Sequence, residues 1–257
     1  MKAIIFPGQG SQIVGMGREF YDNFAIVKEI FQKADDKLKF KLSKIILEGP
    51  EDDLKLTMNT QPAILVVSLS IYEILKKEIN IDLETNVKYF AGHSLGEYSA
   101  LVASNSLKLD DAIYLLHERG KAMQESVPVG EGKMLAVLGL DLGDLEKYIE
   151  KIPDKNICEI ANDNAVGQII VSGDTNSIEK LQSQLKADGK KSILLPVSAP
   201  FHCSLMQKAT LIMEKKLNSI NFSKPSKEII GNVNASPYSE PSEIKVLLLK
   251  QICSKVR

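Results

Sequence analysis

The chain has 257 residues, of which 44% are hydrophobic, so it can bury a sizeable core as one large domain or as one domain that carries a smaller one. Its 32 basic residues balance its 33 acidic ones without a long run of either sign, which argues against a nucleic-acid partner. The most apolar stretch, residues 63–75, is too short and too polar to span a bilayer, and no signal-peptide pattern begins the chain, so we expect a cytoplasmic protein without a membrane partner.

The first third of the sequence begins with a strand and continues with helices. "KAIIFPG", from Lys2, predicts a short buried strand that ends in the glycine-rich loop "PGQGSQ". A helical pattern follows over residues 17–35. Thr60 as a cap and Pro62 in the first turn predict a second long helix, which runs to Leu75.

A second strand and two more helices follow. "VKYFAGHS", residues 87–94, predicts the strand, and "GEYSALVASNSL", residues 96–107, predicts the helix after it. The next helix is predicted to be capped by Asp110 or Asp111 and to end before Pro128. This alternation is typical of a parallel sheet with helices on both faces.

The pattern changes between residues 130 and 198. The predicted order there is strand, helix, strand, strand, helix, strand, which is the ferredoxin-like βαββαβ unit; its segments are "KMLAVLGL", Asp141 to Lys151, "ICEIAN", "QIIVSGD", "TNSIEKLQSQLKAD" and "SILLPVS". The first and last strands of such a unit can lie side by side, so it can be inserted without separating the host chain. We therefore predict a large α/β domain from residues 1–129 and 199–257, interrupted by a small domain at 130–198. The large domain resumes with a helix from Ser204 and a strand over 228–235.

A serine between two glycines lies where the second strand gives way to a helix. Gly92, Ser94 and Gly96 satisfy G-x-S-x-G, the pattern of a nucleophilic serine in a sharp strand-to-helix turn. Glycines flank such a serine because the turn leaves no room for Cβ atoms on either side. The same residues also fit an ordinary small-residue turn that lets a helix pack closely, so the motif alone leaves both interpretations open.

A nucleophilic serine needs a base, and the chain has three histidines. His93 adjoins the serine and is better suited to brace the turn than to act as the base. His117 and Arg119 share a predicted helix but lie about 200° apart around it, so they cannot face one site together. His202 lies in a loop that returns from the small domain, where it could be the base or a structural loop histidine. The three cysteines are too widely spaced for a disulfide framework or a metal site.

Four segments together resemble one family of enzymes. The chain closely resembles the malonyl-CoA:acyl-carrier-protein transacylases of bacterial fatty-acid synthesis in "FPGQGSQ" at 6–12, "GHSLGEYSA" at 92–100, "ERGKAMQE" at 118–125 and "PFHCSLM" at 200–206. A fifth segment, "ANDNAVGQIIVSG", matches within the small domain. The resemblance covers the whole chain and implies a hydrolase-like α/β domain with a ferredoxin-like insertion.

The resemblance assigns roles to five residues. It implies that Ser94 is the acyl-accepting nucleophile, that His202 is its general base, and that the backbone N–H groups of Gln9 and Leu95 form the oxyanion hole. It also implies that Arg119 grips the free carboxylate of the malonyl group with two parallel hydrogen bonds.

Two of these segments have simpler interpretations as well. Without the other motifs, Arg119 would be read as a surface residue paired with Glu118, and "PGQGSQ" as a phosphate-binding loop. Phe201, before His202, resembles the pattern of malonyl-selective relatives. The paired lysines at 190–191 and 215–216 could meet an acidic carrier protein or simply face solvent.

The activity implied is a two-step acyl exchange. Ser94 takes the malonyl group from malonyl-CoA, and the phosphopantetheine thiol of acyl carrier protein then removes it. This chemistry needs no metal and no redox cofactor. The alternatives are a serine acyl hydrolase or thioesterase that uses the same dyad with water, and a noncatalytic scaffold that binds the carrier protein.

The chain departs from a complete serine triad and from the family's usual length. No Asp or Glu occupies a recognisable third position, and the resemblance implies that a backbone carbonyl near the end of the chain orients His202. The sequence stops at "QICSKVR", where family members continue with another strand and helix. Either the chain is truncated or the sequence is incomplete; if it is truncated, we expect one side of the central sheet to be uncovered and stability and activity to be reduced.

Overall fold

A computed structural model describes residues 2–79, 82–153, 156–197 and 199–257, and its strands form two separate sheets. The contacts within the chain divide it into two units. The first unit comprises Met1–Lys121 and Lys215–Val246, and the second comprises Ala122–Glu214 and Leu247–Arg257. Strands alternate with helices along the chain and one sheet is largely parallel, which confirms the predicted α/β class.

The described residues contain both short and long elements. The strands are β1 (Lys2–Phe6), β2 (Val87–Gly92), β3 (Gly132–Leu138), β4 (Cys158–Ala165), β5 (Gln168–Asp174), β6 (Lys191–Leu194), β7 (Glu228–Ile230) and β8 (Pro237–Tyr238). The helices are α1 (Arg18–Asn23), α2 (Ala25–Leu38), α3 (Leu42–Glu48), α4 (Glu51–Lys55), α5 (Thr57–Lys77), α6 (Leu83–Asn86), α7 (Gly96–Ala103), α8 (Leu109–Gln124), α9 (Leu142–Ile149), α10 (Thr175–Ala187), α11 (Gln207–Asn218) and α12 (Pro241–Cys253), with a 3₁₀ turn at Ser204–Met206. Of the helices described, none is long and apolar enough to cross a membrane.

The sheet of the first unit has the strand order β1-β2-β7-β8. β1, β2 and β7 run parallel, and β8 returns antiparallel beside β7. Parallel strands present their carboxyl ends at one edge of a sheet, so the segments that follow β1, β2 and β7 come to the same edge. Those three segments contain Gln9, Ser94 and Asn232, respectively.

Aromatic side chains attach α5 to this sheet. Phe6 on β1, Phe90 on β2 and Tyr72 on α5 meet edge to face, with ring centroids 5.9 to 6.3 Å apart. Each such pair adds about 0.5–1.5 kcal/mol beyond the apolar area that it buries. The long helix is thereby fixed against the two strands that lead into the candidate site.

The predicted start of α5 is wrong by one turn. The helix begins at Thr57, so Thr60 is not its cap and Pro62 lies inside the helix. The hydroxyl of Thr60 donates to the carbonyl of Leu54, and the backbone N–H groups of Asn59 and Thr60 donate to the carbonyl of Leu56. Thr60 therefore ties the helix to the preceding α4, and the helix begins before it.

Other predicted elements also differ in their bounds, among them two helices and a strand. The helix predicted over 17–35 is broken at Phe24, which has an extended backbone. The side-chain amide of Asn23 donates to the carbonyl oxygen of Glu19 and so competes with the backbone N–H groups for a helical acceptor. The helix α8 begins at Leu109, so Asp110 and Asp111 both lie within its first turn and neither is the cap. Their negative charges interact favourably with the positive end of the helix dipole. The strand predicted over 228–235 ends after three residues, because a turn follows.

The sheet of the second unit has the strand order β4-β5-β3-β6, and all neighbouring strands are antiparallel. Leu145 on α9 and Leu181 on α10 join Leu135 and Val171 of the sheet in one apolar core. Both helices therefore cover the same face of the sheet. Residue 198, where the predicted small domain ends, lies outside the described residues.

Candidate active site

The serine of the G-x-S-x-G motif occupies a strained turn between β2 and α7. Ser94 has a φ of 53°, in the left-handed region that residues with a Cβ rarely adopt. A Cβ on Gly92 would overlap the backbone of Gly96, and a Cβ on Gly96 would lie 2.5 Å from the carbonyl oxygen of Phe6. The close approach of β1, β2 and α7 thus requires both glycines, for the steric reason expected from the motif.

Two buried groups contact this serine. Its backbone N–H donates to Oδ1 of Asn232 over 2.7 Å, and its Oγ accepts a hydrogen bond from Nη2 of Arg119 over 3.0 Å. Ser94 is 8% exposed, so its hydroxyl oxygen is held in place rather than left to rotate in solvent. The structure therefore joins two of the residues that the sequence singled out, Ser94 and Arg119.

Arg119 reaches the serine from α8 and is 1% exposed, which excludes the interpretation as a surface residue. Its Nη1 donates to Oε1 of Gln61 over 2.7 Å, and its guanidinium carbon lies 5.8 Å from the ring centroid of Tyr98. Burial lowers the pKa of Arg119, while Tyr98 and Glu97 oppose that shift. Arginine stays cationic in proteins, and a guanidinium with two Nη groups beside a nucleophile can bind a carboxylate through paired hydrogen bonds.

The backbone N–H groups of Gln9 and Leu95 lie in the two loops beside the serine. Leu95 directly precedes α7, and Gln9 follows β1 with its Nε2 3.4 Å from Oγ1 of Thr57. Within the described ranges, neither backbone amide donates a hydrogen bond to the chain. The loops approach closely, because a Cβ on Gly8 would lie 2.7 Å from Nδ1 of His93. Amides at a helix N-terminus favour a developing negative charge.

His202 belongs to the second unit and lies between β6 and the 3₁₀ turn. It is 4% exposed and has a φ of 60°, so it too adopts the left-handed backbone region. Its Nδ1 lies 2.8 Å from the main-chain oxygen of Gln251 on α12. A carbonyl oxygen can only accept, so Nδ1 carries the hydrogen and Nε2 of the neutral ring is left as an acceptor. His202 can therefore take up a proton at Nε2.

One strand supports both the loop of His202 and the helix that supplies its acceptor. The Glu159 carboxylate on β4 accepts hydrogen bonds from the backbone N–H of Ser204, at 3.0 Å, and from its hydroxyl. Ala161 and Asp163 on the same strand exchange backbone hydrogen bonds of 2.8 Å with Val256, just after α12. β4 thus anchors the segments on either side of the hydrogen bond between His202 and Gln251.

The other two histidines have structural contacts. His117 Nδ1 donates to the carbonyl oxygen of Met58 over 3.0 Å. Pro62 cannot form the usual helical hydrogen bond to this oxygen, because proline has no N–H. The His93 backbone N–H donates to the Phe6 carbonyl over 3.0 Å and ties the two loops of the first unit together. In the part of the chain that is described, no group of three or more His, Cys, Asp or Glu side chains could hold a metal ion.

Sequence reasoning missed three buried residues around the serine and the arginine. Gln61 precedes Pro62, which is predicted to lie in the first turn of a helix, and Asn232 lies in a segment predicted to be a strand. Glu97 is predicted only as part of the helix after the serine. Its carboxylate accepts hydrogen bonds from the backbone N–H of Asn232 at 3.3 Å and from the hydroxyl of Tyr238 at 2.9 Å. The position of Asn232 after the third parallel strand was the one available signal.

A serine in a strained strand-to-helix turn with a buried arginine on its hydroxyl is typical of an acyl transferase, and the family of acyl transferase domains matches residues 3–246. The chain is 41% identical over 258 residues to "Malonyl CoA-acyl carrier protein transacylase" of Bacillus subtilis, covering 99% of this chain and 80% of that protein. The protein of that name from Staphylococcus aureus is 37% identical, covering 99% and 81%. The crystal structure of acyl-carrier-protein-S-malonyltransferase from Bartonella henselae superposes with a TM-score of 0.96 at 44% identity, covering 100% of this chain and 82% of that one. The chain belongs to the malonyl CoA-acyl carrier protein transacylase family of acyl transferases.

Proposed function

We propose that this enzyme transfers the malonyl group from malonyl-CoA to the phosphopantetheine thiol of acyl carrier protein through a malonyl-serine intermediate on Ser94. The observation that carries the proposal is the buried guanidinium of Arg119 at 3.0 Å from the serine hydroxyl. Malonyl differs from simpler acyl groups by a free carboxylate, and a carboxylate that enters a cleft needs a fixed cation to replace its hydration. One solved relative, 35% identical, is described as a malonyl-transacylase in complex with an acyl-carrier protein.

In the first step, Oγ of Ser94 attacks the thioester carbonyl of malonyl-CoA while its proton passes to Nε2 of His202. The carbonyl oxygen becomes an oxyanion, which the backbone N–H groups of Gln9 and Leu95 stabilise. The intermediate collapses, the C–S bond breaks, and the CoA thiolate takes the proton from His202. The malonyl carboxylate is held by the guanidinium of Arg119 throughout.

In the second step, the roles of the two thiols are reversed. His202 removes the proton from the phosphopantetheine thiol, the sulfur attacks malonyl-Ser94, and Oγ leaves with the proton that His202 returns. The same amides stabilise the second oxyanion. The bond from His202 Nδ1 to the Gln251 carbonyl supports this assignment, because it places the hydrogen of the neutral ring on Nδ1 and the lone pair that accepts a proton on Nε2.

We further propose that residues 130–198 are a ferredoxin-like domain inserted into a hydrolase-like domain of residues 1–129 and 199–257. The order of β3, α9, β4, β5, α10 and β6 supports the proposal, as does the antiparallel sheet order β4-β5-β3-β6. In such a unit the first and last strands are neighbours, as β3 and β6 are. The chain can therefore leave and re-enter a host domain at one place.

The experiment that tests the function is intact-mass spectrometry after mixing the protein with malonyl-CoA, with and without acyl carrier protein. We expect a stable malonyl adduct on the peptide that contains Ser94, and its disappearance when the carrier protein is added. Rapid release of free malonate without the carrier would instead show a serine hydrolase. Absence of any adduct would leave a scaffold that binds the carrier protein.

A further inference from the structure

Behind the serine, three buried side chains from different parts of the first unit form a hydrogen-bonded chain, called here the elbow clamp. Asn232 lies in the turn after β7, Glu97 in the first turn of α7, and Tyr238 on β8. They are 6%, 0% and 4% exposed, respectively. Burial of a carboxylate, an amide and a phenol is unfavourable unless their polar atoms form hydrogen bonds. The hydrogen bonds of these three side chains therefore show what holds them in place.

Asn232 spans the turn of the nucleophile with a single side-chain amide. Its Oδ1 accepts from the Ser94 N–H over 2.7 Å, and its Nδ2 donates to the Gly92 carbonyl over 2.7 Å. The two contacts lie on either side of the turn, and they need one acceptor and one donor in the same planar group. A left-handed backbone at a residue with a Cβ persists only when its surroundings impose it, and Asn232 is placed to impose it on Ser94.

Glu97 and Tyr238 fix Asn232 in turn. Oε2 of Glu97 accepts from the Asn232 backbone N–H over 3.3 Å, and Oε1 accepts from the Tyr238 hydroxyl over 2.9 Å. Burial and the adjacent Glu97 raise the pKa of Tyr238 well above its ordinary value, so the phenol keeps its proton and donates. The carboxylate thus joins the β7–β8 hairpin to the helix that begins at the nucleophile.

We propose that the elbow clamp positions the nucleophile: Asn232 holds the backbone of Ser94 in its reactive conformation, and Tyr238 acts through Glu97 to hold Asn232. Asn232 holds the turn through the backbone of Ser94 and Gly92, so the members of the clamp are positioning residues. The inference rests on the proposed role of Ser94 as the acyl acceptor. It goes further, because it makes the reactivity of that serine depend on Asn232 and Tyr238, which lie more than a hundred residues away in the sequence.

The first test separates positioning from binding. For Asn232→Ala, we expect the rate of malonyl-Ser94 formation at saturating malonyl-CoA to fall by about 10- to 100-fold, the effect of a small displacement of a reacting group. The affinity for malonyl-CoA should change little, because Arg119 remains. Asn232→Asp keeps the acceptor for the Ser94 N–H and loses the donor to Gly92, so it should recover part of the rate. Asn234→Ala is the matched control: it removes an exposed side chain of the same turn, whose Oδ1 accepts from the Ser236 N–H over 3.2 Å, but leaves Asn232 in place, so it should acylate at close to the wild-type rate.

The second test asks whether Tyr238 acts through Asn232. Tyr238→Phe alone should slow acylation by about 3- to 10-fold, since one hydrogen bond to the carboxylate is lost. In the Asn232→Ala background, Tyr238→Phe should have no further effect on the acylation rate, because the two changes interrupt the same chain. Rate losses that multiply in the double variant would overturn the proposed linkage, even if each variant were less stable than the wild type.

The controls distinguish failure of the clamp from failure of the proposed function. If Ser94→Ala were acylated at the wild-type rate, Ser94 would not be the nucleophile. The proposed function would then fail before any clamp variant is considered. Formation of the adduct by wild type and not by Ser94→Ala, together with wild-type acylation by a folded Asn232→Ala, would refute the clamp alone. If Asn232→Ala does not fold, Asn232→Asp and its combination with Tyr238→Phe give the same comparison.

Discussion

Two buried glutamines hold candidate site residues in different ways. In the first unit, the side-chain oxygen of Gln61 accepts a hydrogen bond of 2.7 Å from Arg119. In the second unit, the main-chain oxygen of Gln251 accepts one of 2.8 Å from His202. The surroundings of the serine and the arginine therefore depend on the identity of side chains, whereas the acceptor of the histidine depends on the course of the backbone. Substitutions should affect the two regions unequally.

The largest effect should follow from removal of the nucleophile. For Ser94→Ala, we expect no malonyl adduct by intact-mass spectrometry, because no other hydroxyl occupies the turn. This corresponds to a fall in the acylation rate of at least about 10³-fold. The melting temperature should change little or rise, because the substitution by alanine removes only the hydroxyl and keeps the other packing contacts of the residue. An adduct of undiminished yield would mean that the acyl group is carried elsewhere and that the first region is not the site of covalent chemistry.

Removal of the base should have the next largest effect. For His202→Ala, we expect acylation to slow by about 10³-fold, because the serine must then be deprotonated by water. His93→Ala is the control, since the hydrogen bond of His93 to the Phe6 carbonyl is made by its backbone and survives the substitution. Stopped-flow measurement of CoA release reports both rates. Near-normal acylation by His202→Ala combined with slow acylation by His93→Ala would indicate that His93, in the first region, is the base.

Arg119 gives the next effect in size and separates malonyl from simpler acyl groups. Arg119→Ala should lower kcat/KM for malonyl-CoA by about 10²-fold, or about 3 kcal/mol, as for the unpairing of a desolvated charge. Arg119→Lys should recover only part, because a single ammonium cannot form the paired hydrogen bonds. Acetyl-CoA, which has no carboxylate to lose, should react no worse. A ratio of malonyl to acetyl specificity that is unchanged in Arg119→Ala would place the carboxylate contact elsewhere.

Gln61 tests the dependence of the first region on side chains. Gln61→Met preserves the length of a side chain that is 2% exposed and removes the oxygen that accepts from Arg119. We expect kcat/KM for malonyl-CoA to fall by about 10-fold, because loss of one hydrogen bond to a charged group is worth about 1.5 kcal/mol. The rate with acetyl-CoA serves as the internal control. Equal losses with both substrates would indicate general damage to the fold rather than a misplaced arginine.

Gln251 provides the matched change with the smallest expected effect. Gln251→Met alters a residue that is completely buried and leaves its main-chain oxygen in place, so the acceptor of His202 is kept. We expect acylation to stay within about threefold of wild type, since the main-chain oxygen that orients His202 is unchanged and a buried side-chain substitution acts mainly on stability. Thermal denaturation measures that stability separately. If Gln251→Met slowed acylation as much as Gln61→Met, the contrast between the two regions would be wrong.

The sequence predicted the parts of the site that depend on steric necessity. Gly92 and Gly96 can be read as a turn because no other residue fits between β1, β2 and α7. The acceptor of His202 was predicted only as some carbonyl near the end of the chain, because any residue at position 251 has the same main-chain oxygen. The partnership of Asn232 with Ser94 was not predicted, since it joins residues 138 positions apart and a sequence pattern contains no distances.

The errors in the predicted helices have a related cause. Thr60 has a good capping side chain, and proline is favoured in a first turn, so local preferences placed the start of α5 there. Thr60 instead donates to Leu54 of the preceding helix, and Pro62 lies inside α5. Tertiary contacts of this kind override local preference, and they decide the bounds of an element more often than its existence.

The proline within α5 links the strength of one helix to the placement of another. Pro62 leaves the carbonyl of Met58 without its usual helical donor, and His117, two residues before Arg119, donates to that oxygen instead. A residue with an N–H at position 62 would complete the helix and compete with His117 for the same acceptor. The break that the proline leaves in the hydrogen bonds of α5 therefore serves as an attachment point for α8, the helix that also carries Arg119.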